Sequence, residues 1–97
     1  MAVQFHRLAA TELRSAVAWY RERDAALADR FLTGVNAAVE RIEHDPDSLP
    51  IERRHFRRCR VQRFPYRLIF ERHDDGTILI VALAHNRRRP GYWRRRT

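Results

Sequence analysis

The residues best equipped for chemistry stand together near the end of the chain, in Ala84-His85-Asn86-Arg87-Arg88-Arg89-Pro90-Gly91-Tyr92-Trp93-Arg94-Arg95-Arg96. One imidazole, six guanidiniums and two aromatic rings share these positions. Guanidiniums grip phosphates with paired N–H donors, and aromatic rings stack on bases. An imidazole adds a group that titrates near neutrality. A surface of this kind suits nucleic acid or another phosphate-bearing partner. It follows directly on Thr77-Ile78-Leu79-Ile80-Val81-Ala82-Leu83, the most apolar run, whose branched residues fit a central strand. That strand is expected to carry the cationic stretch out of the end of a sheet.

Composition limits what can support it. The 97 residues suffice for one domain, 1–97 with a basic tail at 85–97, and one core of two packed layers. The net charge of +8 is polarised: residues 1–48 hold six Arg against eight acids, and residues 49–97 hold fourteen Arg against four. One anion-seeking face follows. All twenty basic residues are Arg, so no lysine amine is available to any mechanism. The lone cysteine, Cys59, excludes an intrachain disulfide and reads as a small core residue of a strand. The five His show no ligand spacing, and neither a metal nor another cofactor is expected. Ile78 to Ala84, seven residues, is too short to span a bilayer, so a cytoplasmic protein with no membrane partner is expected.

The elements that must position the tail read as follows. Val3 to His6 alternates as a short strand with Val3 and Phe5 inward. From about Ala9, Leu13, Ala16, Val17 and Tyr20 recur at helical spacing, with Trp19 flanking the stripe to seal it against a neighbour. Asp24 suits the N-cap of a second helix carrying Leu27, Phe31, Val35, Ala38 and Ile42 on one face, stopped by Asp45-Pro46. The short link predicts an antiparallel helical hairpin. Arg58 to Phe64 alternates as a strand until Pro65, and Tyr66 to Arg72 continues. His73-Asp74-Asp75-Gly76 is a hairpin turn, with Asp-Gly supplying positive φ, and Thr77 to His85 returns antiparallel. Strict alternation in this last strand puts Ile78, Ile80, Ala82 and Ala84 on one face and Leu79, Val81 and Leu83 on the other. The helices cover one face; the second lacks a cover within the chain, which points to a partner seated on Leu79, Val81 and Leu83. The class is α+β, β-α-α-β-β-β, an antiparallel meander backed by the hairpin.

The chain resembles the RelE/ParE superfamily, small toxins of bacterial type II toxin–antitoxin modules often labelled plasmid stabilisation proteins. The resemblance covers nearly the whole chain. It rests on Ala18-Trp19-Tyr20, Arg30-Phe31-Leu32, Ile42-Glu43-His44-Asp45-Pro46, Arg63-Phe64-Pro65-Tyr66-Arg67 and His85 through Trp93, in that order and spacing. It implies a toxin silenced by a partner antitoxin, whose own DNA-binding domain brings the complex to operator DNA. RelE-like members cleave mRNA on the ribosome without a metal; ParE-like members inhibit DNA gyrase.

A ribonuclease reading needs a base for the ribose 2′-OH, an acid for the leaving 5′-oxygen and cations around the phosphorane. His85 fits base or acid, Arg63, Arg67 and Arg88 fit the phosphate clamp, and Tyr92 fits an acid or a stacking ring. Two departures count against it: RelE uses lysines here, and the Glu of Glu–His relatives has only Glu52 as its candidate. A plainer role competes at each position: His85 bonding a carbonyl, Arg67 paired with Glu52 or Glu71, Tyr92 and Trp93 anchoring the tail. A ParE-like binding toxin demands no acid or base, and the missing lysines do not hurt it. In that reading Arg87, Arg89, Trp93, Arg94, Arg95 and Arg96 face the target. A plain nucleic-acid-binding module is a third possibility, without a visible recognition helix.

Overall fold

The computed structural model describes residues 2–97. Strand β1 (Val3–Phe5) leads into helices α1 (Arg7–Arg23) and α2 (Ala25–His44), and a 3-10 turn at Pro46–Ser48 follows. Strands β2 (Ile51–Arg53), β3 (Phe56–Val61), β4 (Tyr66–Arg72) and β5 (Ile78–His85) complete one sheet of order β1-β5-β4-β3-β2.

The helical half forms as its spacing dictates. Asp24 is the whole link between the helices: its backbone N–H donates to the Tyr20 carbonyl, closing α1, and its carboxylate accepts from Ala26 N at 2.9 Å, opening α2. Such a cap contributes about 1 kcal/mol. The stripe Phe31, Val35, Ala38 and Ile42, buried to 1% exposure or less, contributes more, since one buried Phe or Ile is worth about 1.5–3 kcal/mol. Packing therefore decides α2. Trp19 does not seal the helix pair as expected; it is 51% exposed, edge-on to Tyr20, with the Arg23 guanidinium 3.4 Å above its ring.

The α+β class stands, with a mixed five-stranded sheet. The expected β-α-α-β-β-β antiparallel meander is corrected twice. Ile51–Arg53 adds an edge strand, β2, ahead of the strand expected from Arg58. And β1 does not join the meander; it pairs parallel to β5, Val3 opposite Ile78 through Phe5 opposite Ile80. At the β4–β5 hairpin only Gly76 takes positive φ, and Asp75 instead accepts from the Thr77 N–H and hydroxyl.

The most consequential correction lies in β5. Ile69 pairs with Ala82 but the next residue, Phe70, pairs with Ile80, so Val81 is an extra residue, a β-bulge. A bulge reverses the side-chain phase beyond it. Ile78 and Ile80 face the helices, but so does Leu83, while Val81, Ala82 and Ala84 lie together on the opposite face. The expected set Leu79, Val81 and Leu83 is thus split. Its face is not open either: Phe56 and Trp93 pack on Ile69, Val81, Ala82 and Ala84, with the two rings edge to face at 4.8 Å. The cover expected from a partner comes from the chain's own tail.

Because the bulge places Leu83 in the helix-facing core, Leu83→Ala should lower unfolding stability by about 2–4 kcal/mol, read from urea midpoints. A loss below about 0.5 kcal/mol, as for an exposed position, would contradict this phase.

Candidate functional site

A groove of about 640 Å³ opens between α1, the ends of β4 and β5, and the tail. The spacing of α1 puts Thr11, Ser15 and Trp19 along one wall; Tyr66, His85, Arg88 and Tyr92 close the other side. Across it the Tyr66 and His85 rings meet edge to face at 5.0 Å, and the Arg88 guanidinium sits 3.9 Å over the Tyr92 ring. His85, Arg88 and Tyr92, proposed from sequence as one constellation, do come together here.

Their hydrogen bonds restrict what they can do. His85 Nδ1 accepts from the Arg87 backbone N–H at 3.0 Å. A neutral ring accepting at Nδ1 carries its proton on Nε2, so it has no free lone pair to act as base. The Tyr92 hydroxyl donates to Glu12 Oε2 at 2.8 Å. Burial, with the Glu12 hydrogen bond and charge beside it, holds the phenol well above its ordinary range, unlike an acid poised to release a proton.

Glu12 is the hub. Its two oxygens also accept from Arg96 Nη1 and Nη2, both at 2.9 Å, and Oε1 accepts from the Leu83 N–H at 3.1 Å. Arg96 Nη1 reaches the Val81 carbonyl at 2.9 Å as well. The Glu12 bonds keep the Arg96 guanidinium charged against its partial burial, and its affinity for protons is raised. Glu12 lies outside the apolar stripe by which the helix was read, and nothing local signals a partner 84 residues away.

The other proposed catalytic residues lie elsewhere. Arg67 is on the opposite sheet face, gripping Glu52 in bidentate fashion, Nε to Oε1 at 3.1 Å and Nη2 to Oε2 at 3.0 Å. This matches the plainer role foreseen for it, and it occupies Glu52. Arg63 is exposed in the β3–β4 turn at φ 72° and lines a separate hollow with Arg41, Arg60 and Cys59. Cys59 itself is buried in the core, as expected. Of the proposed target-facing residues, Arg87, Arg89, Arg94 and Arg95 are exposed, but Trp93 is 1% exposed and Arg96 is held by Glu12. The Trp93 Nε1–H has no protein acceptor among the described residues, at a cost of about 1–3 kcal/mol. Burying an indole of roughly 200 Å² contributes about 5 kcal/mol and outweighs it. Sequence reasoning missed Arg58 and Arg60, which share the outer face with Arg67; β3 parity was the available signal, since Arg60 pairs with Arg67. Among the described residues no group of three His, Cys, Asp or Glu side chains is placed to hold a metal ion.

Residues 3–90 match the family described as ParE toxin of type II toxin–antitoxin system, parDE. No curated protein matches the chain.

Two outcomes test the Glu12 hub. Glu12→Ala leaves Arg96 and the Leu83 amide without their partner and should cost about 3 kcal/mol of unfolding stability by urea titration. A loss under about 1 kcal/mol would mean that the pair is a solvated surface contact. Tyr92 has a folded-state pKa raised above the unfolded value near 10, so its contribution is complete below that pH and is lost as pH rises through the folded value. Tyr92→Phe should therefore melt lower than wild type at neutral pH, and the gap should narrow above about pH 10. A gap independent of pH would contradict the assignment.

Proposed function

The chain belongs to the ParE toxin family, and from that premise we propose that it is a cytoplasmic growth inhibitor that acts on DNA gyrase and is silenced by a cognate antitoxin. One observation carries the choice of mechanism: the residues a metal-independent ribonuclease would need are committed to other bonds or lie apart. His85 accepts at Nδ1, the Tyr92 hydroxyl donates a hydrogen bond to Glu12, and Arg67 is held by Glu52 on the other face. A toxin that works by holding its target needs no acid or base. It needs an amphipathic grip, and the groove beside exposed Trp19 and Arg88 offers one.

The antitoxin, in this reading, neutralises the exposed arginines and lays an apolar segment in the same groove, competing with the target. Contact with operator DNA runs through the antitoxin. The sheet face of Leu79 and Val81 contributes at most its rim, because Trp93 already covers it.

A second reading has one observation in its favour. Arg58, Arg60 and Arg67 form a patch of guanidiniums on the outer face beside Glu52, which suits a phosphate backbone and keeps an mRNA endonuclease in view.

Brief induction in cells decides between them, with mRNA 5′ ends and plasmid supercoiling mapped in the same samples. The proposal predicts relaxed or damaged DNA, intact mRNA, and toxicity that survives His85→Ala. New codon-phased cuts that disappear with Arg67→Ala or His85→Ala would replace the gyrase reading with the ribonuclease one.

A further inference from the structure

A second basic hollow, of about 410 Å³, lies between the β2–β3 turn and the C-terminal segment, lined by Arg53, Arg54, His55, Phe56, Arg94 and Arg95 with Thr97. We propose that it binds single-stranded nucleic acid, with the guanidiniums on the phosphates and the His55 ring as the platform for a base. This goes beyond the toxin reading and does not depend on which target the toxin has.

Its guanidiniums lack carboxylate partners among the described residues. No Asp or Glu lines the hollow, and among the described residues none of its four guanidiniums is paired with a carboxylate. Five of the twenty arginines meet a carboxylate, Arg21, Arg58, Arg67, Arg72 and Arg96, and none of these lines the hollow. Arg94 Nη1 donates to the Gly91 carbonyl at 3.0 Å, but four guanidiniums that line one hollow without a carboxylate partner still favour an external anion there.

The ring in the middle is built rather than incidental. His55 stacks on Phe56 at 4.2 Å with planes 32° apart, and Phe56 rests on buried Trp93. Glu71, 8% exposed, accepts at Oε2 from His55 Nε2 at 2.8 Å, and its Oε1 is taken by His73 at 3.1 Å. The imidazole is thus fixed in plane by a carboxylate and backed by two aromatics, while its side chain stays 62% exposed. A rigid exposed aromatic face among cations is what single strands need for stacking.

The two walls approach each other at Gly91. Arg53 lies against Gly91 so closely that a Cβ there would collide with its guanidinium, and Gly91 takes φ 73°. Arg54 adopts φ 54°, a left-handed conformation uncommon for a residue with a Cβ. An acidic peptide would use the charge but has no use for the stacked ring, which is why nucleic acid is the better fit.

The test is fluorescence anisotropy of the full chain with a labelled oligothymidylate of about 12 nucleotides, across a salt series. Arg54→Ala with Arg95→Ala should reduce the slope of log affinity against log salt by about 1.4, two phosphate contacts' worth. His55→Ala should weaken binding about tenfold, whereas His55→Phe, which keeps a stacking face, should hold it within about twofold. The proposal is overturned by absent binding, by a salt slope that the arginine pair does not change, or by His55→Phe failing as badly as His55→Ala. A labelled polyglutamate bound as tightly as the oligonucleotide would overturn it as well, assigning the hollow to an acidic peptide.

Discussion

The ion pair between Glu12 and Arg96 completes an edge that the backbone leaves open. Strand β1 is only three residues long and pairs with β5 no further than Ile80. Beyond that point β5 continues to His85 and turns the Val81 carbonyl and the Leu83 N–H toward no neighbouring strand. Unpaired backbone groups next to a core are costly, at about 1–3 kcal/mol each. Arg96 donates to the carbonyl and Glu12 accepts from the amide, while the two bind each other in bidentate fashion. The edge is capped by side chains from the two ends of the chain.

The rest of the distal structure depends on this closure. Once Arg96 is held beside β5, Trp93 falls over Ile69, Val81 and Ala82, and the outer face of the sheet gains its cover. Tyr92 is drawn down onto Glu12 and forms a wall of the α1 groove. The segment between, Arg87 to Arg89, remains at the surface, as do Arg94 and Arg95. The same constraint thus sorts the arginines into those that build and those that face outward. It also removes the phenol of Tyr92 from acid–base work.

The helical half was legible because its signals are local. A stripe that repeats every three or four residues, an Asp cap and an Asp-Pro stop all involve near neighbours in the chain, and α2 ends at His44 as they require. The β half was legible only in outline. β5 is apolar on both faces, so its residues carry no parity signal, and the bulge at Val81 that reverses its phase leaves no mark in composition. Strand β2 is three residues with an exposed Ile51, too short to show a period. The tail misled for a different reason. Its arginines look alike, and only contacts such as Glu12 with Arg96, made across almost the whole chain, separate anchors from surface charge. His85, Arg88 and Tyr92 line one groove because a short turn-rich stretch keeps them close, whereas Arg67 lies on the other face because a strand sends alternate side chains to opposite sides.

The amide of Leu83 reports on this closure most directly, through native-state hydrogen exchange followed by NMR. With Glu12 as its acceptor and Arg96 holding Glu12 in place, it should exchange slowly in the wild type, near the rate set by global unfolding. In Arg96→Ala it should exchange much faster, while the amide of Ile80, beyond the bulge, stays protected. A Leu83 amide that exchanges in the wild type as fast as that of Arg89 in the exposed turn would contradict the account, because the tail would then not be docked on the edge of β5.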